Sequence, residues 1–159
     1  MKKLTYKIVA FTLLLSMLFV CGCADATKSW AVVELENYGT LKLPENWTLK
    51  QSDGRYYIFD DTSSPVMIQT LSKCGIKDYQ SGRVETNDYY TIRNLKCLSS
   101  EVLSNGAVYG TFKSIKNDVE CEVPFLELGS GGDTVTFVVD STKINMEYLK
   151  QIAGTFVSK

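Results

Sequence analysis

The sequence predicts an α+β domain behind an N-terminal export segment, and three observations predict it. Residues 1–22 join a basic start to a short apolar run. Residues 31–139 show repeated two-residue alternation broken by turn dipeptides. Residues 140–156 then change to helical spacing. Alternation exposes one face of a strand to a core, and a period near 3.6 does the same for a helix.

The export segment begins Met1-Lys2-Lys3, with a further Lys7. Residues 8–20 read IVAFTLLLSMLFV, interrupted only by Thr12 and Ser16. A basic start before such a run is a secretory signal pattern. The run is short of the roughly 20 apolar residues that cross a bilayer. It ends in Val20-Cys21-Gly22-Cys23, followed by the polar Ala24-Asp25. That string resembles the lipobox of bacterial lipoproteins: an aliphatic residue, then a moderate one, then a small one, then an obligatory cysteine. Val20 and Gly22 are the processing residues in this resemblance, which implies a diacylglycerol thioether on Cys23, further acyl chains, and loss of residues 1–22. Cys21 follows bulky Val20 directly and fits the pattern poorly. The alternative is an ordinary secreted protein cut at a small residue. A metal or redox C-x-C lacks further ligands here. Each buried lipid methylene contributes about 0.8 kcal/mol, so two or more chains hold stably where one holds reversibly.

Residues 23–30 then form the lipidated N-terminus and a short tether, and residues 31–159 one domain. The 137 residues from Cys23 onward suffice for a real core. The whole chain carries a net charge of −1. Without the three lysines of residues 1–22, 14 basic residues face 18 acidic ones, a net −4. A mildly acidic domain has no electrostatic footprint for nucleic acid. The chain has no histidine, which removes the usual general base and the commonest zinc ligand. No metal site and no cofactor other than the lipid is expected.

Three cysteines follow Cys23. Val119, Cys121 and Val123 alternate with Glu120 and Glu122, so Cys121 reads as a small core residue. Cys74 and Cys97 are then a possible disulfide, worth about 3 kcal/mol in the chain-entropy model. An exported chain permits it, and three free thiols are the alternative.

Along the domain, residues 31–43 alternate at Val33, Leu35, Leu41 and Leu43, with a turn or bulge at Asn37-Tyr38-Gly39. Pro44 ends the strand. Residues 55–60 and 66–71 are the next strands, with turn chemistry between them. Residues 74–97 are polar, and one or two short helices are expected there. Asn105-Gly106 marks a hairpin between residues 101–103 and 107–115. A second hairpin joins 119–128 to 134–139 across Gly129-Ser-Gly-Gly-Asp133, which opens a strand and lacks the ending of a phosphate loop. Asp140-Ser141-Thr142 supplies an N-cap for a helix carrying Ile144, Tyr148 and Ile152, closed by Gly154.

The string YGTLKLPENW, the strand YYIFDD and the ending YLKQIAGTFVSK are together similar to the PsbP-like and Ran-binding Mog-like superfamily. The most specific part is Pro44 to Trp47. The resemblance covers most of residues 31–159 as an order of elements. It implies an antiparallel sheet flanked by helices in an α/β/α sandwich, and an accessory or binding role.

No catalytic residues emerge. Asp60-Asp61 and the acidic stripe Glu120, Glu122 and Glu127 read as solvated carboxylates. Tyr56, Tyr57, Tyr89 and Tyr90 are candidates for a binding surface, since tyrosine is favoured at interfaces, although core support is the commoner role. The expected protein is a non-catalytic lipoprotein of the cell envelope, anchored to a membrane and binding an envelope protein or a small ligand. A structural or assembly accessory is the second reading, and a freely secreted protein or a weak enzyme the third. In a single-membrane cell the anchor lies on the outer face of the plasma membrane. In a double-membrane cell the outer membrane is open to it.

Overall fold

The computed structural model describes residues 27–70, 84–86, 91–116, 118–130 and 133–159. Eleven strands and one helix lie among them: β1 (Ala31–Leu35), β2 (Gly39–Leu43), β3 (Thr48–Ser52), β4 (Arg55–Phe59), β5 (Pro65–Gln69), β6 (Val84–Thr86), β7 (Thr91–Val102), β8 (Val108–Lys116), β9 (Val119–Ser130), β10 (Asp133–Val139), α1 (Met146–Gly154) and β11 (Val157–Ser158). They form two antiparallel sheets. The small one has the order β1-β2-β11, and the large one β3-β4-β5-β10-β9-β8-β7-β6. The large sheet is thus two meanders, β3–β5 and β6–β10, joined through the β5–β10 pair.

This corrects the expected α+β, α/β/α sandwich. The described chain is predominantly β, and its one helix covers only nine residues. The expectation of helices within residues 74–97 is corrected in part. Residues 84–86 and the stretch from Thr91 onward are paired strands, with Ile92 opposite Lys116. The other residues of that segment lie outside those described. The physical reason is that β7 (TIRNLKCLSSEV) carries little apolar alternation of its own. Pairing along β8 satisfies its backbone, so the strand signal lies in the partner.

The first hairpin follows the alternation. Val33 and Leu35 face inward opposite Leu41 and Gly39, and Leu35, Leu41 and Leu43 are fully buried. Gly39 takes φ +142°, and a side chain there would meet the Val157 carbonyl at 2.1 Å, so only glycine lets β11 close on β2. A further hairpin, β3–β4, turns at Asp53-Gly54, both at positive φ.

The main core lies between one face of the large sheet and the small sheet with α1. It joins Leu35, Leu41 and Leu43 to Ile58, Met67, Leu126, Leu128, Phe137, Leu149, Ile152 and Phe156. On the opposite face of the large sheet a smaller cluster gathers Ile68, Phe112, Val123, Phe125 and Val138. Phe112 and Phe125 stack with centroids 4.2 Å apart. Gly110 beside them is a steric necessity, because a side chain there would meet the Phe125 ring at 2.9 Å and the Ser99 carbonyl at 2.0 Å.

The N-cap of α1 is Asn145, whose Oδ1 accepts from the Tyr148 N–H at 2.8 Å. Asp140 to Thr142 instead form a side-chain turn ahead of it, with the Thr142 N–H donating to Asp140 Oδ1 at 3.0 Å. The expected cap was thus placed one turn too early. Both segments carry capping residue types, and packing of Ile144, which is buried before the helix starts, selects between them. At the other end Asn105 reaches across from the β7–β8 turn. Its Nδ2 donates to the carbonyls of Ala153 (2.9 Å) and Phe156 (3.0 Å), and its Oδ1 accepts from the Ala107 N–H (3.1 Å). One side chain therefore shapes its own turn and adds a donor to carbonyls where the helix ends.

Candidate functional site

Several residues singled out by sequence lie outside those described: Val20, Gly22 and Cys23 of the processing string, Cys74, Tyr89 and Tyr90. The remaining tyrosine pair is divided between faces. Tyr56 is buried in the main core, its hydroxyl accepting from the Glu36 N–H at 3.1 Å and its own N–H donating to Gln69 Oε1 at 2.8 Å. Tyr57 packs on the opposite face beside the second cluster, with its ring 6.5 Å from that of Phe59. They do not form one surface.

Cys97 and Cys121 are free thiols, both half-buried at the margin of the second cluster. Cys97 Sγ donates to the Ser99 carbonyl at 3.5 Å. The carboxylates have local partners. Asp60 accepts from the Thr62 N–H and hydroxyl and from Lys143 Nζ, the last at 3.1 Å. Partial burial would raise its pKa, but these hydrogen bonds and the lysine charge outweigh it and hold the carboxyl below its ordinary range. Glu120 pairs with Lys113, and Glu127 accepts from the Thr136 hydroxyl at 3.2 Å. Among the described residues no three or more acids or thiols cluster in a way that could hold a metal ion.

The structure assembles a different feature. Trp30 directly precedes β1, Trp47 follows β2 in a turn closed by its N–H on the Pro44 carbonyl (2.8 Å), and Tyr148 sits in the first turn of α1. The Tyr148 ring meets Trp30 edge-on at 5.6 Å and Trp47 at 6.0 Å. All three are half-buried and rest on the main core. Burial raises the Tyr148 pKa, so its hydroxyl stays protonated at neutral pH. Neither indole N–H nor this hydroxyl has a hydrogen-bond partner among the described residues.

Near the trio in the chain, an open groove of about 480 Å³ is lined by Thr27, Lys42, Gln151, Gly154, Thr155 and Val157. Gln151 lies one helical turn beyond Tyr148, and the Trp30 N–H donates to the Thr27 carbonyl at 3.1 Å. Thr155 Oγ1 seals its floor by accepting from the Lys42 N–H at 2.9 Å. The trio and groove therefore trace one seam where α1 meets the small sheet. Its aromatics, lysine and amide suit non-covalent contact.

Sequence reasoning placed Trp47 in the Pro44 to Trp47 motif and Tyr148 on the helix, and joined neither to Trp30. One signal joined them: the chain holds only two tryptophans, and both flank the first hairpin. A second groove, of about 310 Å³, is lined by Asn37, Tyr38, Asp133 and Thr134. There Tyr38 has a raised pKa, from burial first and then from Tyr56 and Asp133. No protein-family model matches the chain, and no curated protein matches its sequence.

Proposed function

We propose that this chain is a bacterial lipoprotein, exported and lipidated at Cys23, whose domain binds an envelope protein or a small ligand without catalysing a reaction. One observation carries the reading. The basic start, the apolar run and Val20-Cys21-Gly22-Cys23 are followed, four residues on, by the turn Thr27-Lys28-Ser29 that leads into β1. A folded domain beginning that soon after the cysteine suits an anchor at that residue. The absence of histidine from the sequence supports a binding role over a hydrolytic one. The domain then sits on the outer face of the plasma membrane, or on the outer membrane of a double-membrane cell.

The test is intact mass of the protein purified from host membranes, beside a Cys23→Ser variant. The reading expects residues 23–159 plus acyl chains, with both the chains and membrane association lost in the variant. A mature form without lipid, or one cut elsewhere, overturns it.

A further inference from the structure

We propose that the seam between α1 and the small sheet lies on the headgroups of the anchoring membrane, with Trp30, Trp47 and Tyr148 as its interfacial aromatics. The inference rests on lipidation at Cys23 and goes beyond it by giving the domain one orientation.

Tether length is the first argument. Four residue steps separate Cys23 from Thr27, and a fully extended chain spans at most about 14 Å over four steps. Thr27 lines the groove and is hydrogen-bonded to Trp30. The headgroup layer takes up about 5–7 Å of that reach, so this end of the domain stays within about 9 Å of the bilayer surface.

Chemistry is the second argument. Tryptophan and tyrosine favour the membrane interface, where an apolar ring meets lipid and a polar tip meets water. The trio has that form, with half-buried rings resting on the core and polar tips that have no partner among the described residues. The outer face of the small sheet continues the surface. Val32 lies opposite Lys42, while Glu34 and Val157 lie on either side of Thr40, so both valines, the lysine and Glu34, which is paired with Lys159, share one face. Both valines are 64% exposed. Exposed apolar side chains beside a lysine suit a surface of acyl-chain edges and anionic headgroups.

Both tryptophans of the chain lie in this seam, so its contacts can be read without a label. Lipidated protein purified from membranes is reconstituted into phosphatidylcholine–phosphatidylglycerol vesicles containing lipid brominated near the headgroup end of its chains. Flotation reports the anchor, and quenching of tryptophan emission reports the docking. Flotation with quenching is expected, and the quenching weakens in a Val32→Asp, Val157→Asp variant that still floats. Flotation with unquenched emission overturns the docking and leaves the anchor standing. Protein that fails to float overturns the anchor, and the docking falls with it. Quenching unchanged in the double variant also counts against this face. Single Trp30→Phe and Trp47→Phe variants then assign the signal to each ring.

Discussion

The two faces of the large sheet are buried by different means. One face meets the small sheet and α1, and its cluster draws residues from both sheets and the helix. The other holds five buried side chains, flanked by half-buried Tyr57, Val108 and two thiols. Polar groups join it, since Ser114 and Thr136 are buried on that side. β9 and β10 supply both faces at once. Leu126, Leu128, Val135 and Phe137 point one way, and Val123, Phe125 and Val138 the other. Strands buried on both faces lose alternation and become continuous apolar runs, so a sequence reading that follows alternation sees only the face it expects.

The contrast makes a ranked set of expectations. Phe137→Ala on the helix-covered face should have the largest effect, about 3–5 kcal/mol, because facing elements hold the cavity open. Phe125→Ala on the other face should fall at the low end, about 3 kcal/mol, since a small cluster beside half-exposed groups collapses more readily. Urea denaturation of both variants checks the order, and a larger loss for Phe125→Ala would reverse the ranking of the faces. Asn105→Ala should cost about 1–3 kcal/mol, by taking the Nδ2 donor from the Phe156 carbonyl and one of the donors from the Ala153 carbonyl, which keeps the Phe156 N–H. Faster hydrogen exchange at the end of α1 would locate that loss.

The smallest effect is electrostatic and belongs to the rim of the helix-covered face. Glu101 accepts from the Tyr109 hydroxyl and from Lys150 Nζ, and these hydrogen bonds, Tyr109's first, lower its pKa. Asp60 is lowered as well. A carboxylate whose folded pKa is depressed stabilises above its unfolded value, and the gain is lost as pH falls through the folded one. The melting temperature should therefore stay level from neutral pH to about 5 and decline below about 4. Asp60→Asn together with Glu101→Gln should flatten that acid limb, as a pH series of thermal melts would show.

Much of the fold was legible where a strand carries its own pattern. The first hairpin, β4, the Asn105-Gly106 turn and the β9–β10 hairpin follow from alternation and turn dipeptides. β3 was missed even though Asp53-Gly54 is a strong hairpin signal, because TLKQS is nearly all exposed and has no face to bury. β7 was read only at its end, from residue 101, for a related reason, since pairing stabilises it rather than its own side chains. The expectation of flanking helices gave polar residues 74–97 helical form, and the paired strands described there correct it. The seam was illegible because its three rings come from positions 30, 47 and 148. Only tertiary folding brings such separations together.

The small sheet also sets an order of events. β2 pairs on one side with β1, a few residues away, and on the other with β11, so that Thr40 lies opposite Val157. A chain made from its N-terminus completes the first hairpin early and supplies β11 only after the other described elements. Non-local closure of this kind is slow. Until α1 and β11 have crossed, Leu35, Leu41 and Leu43 lack the helix and strand that complete their cover, and the hairpin keeps an apolar face open.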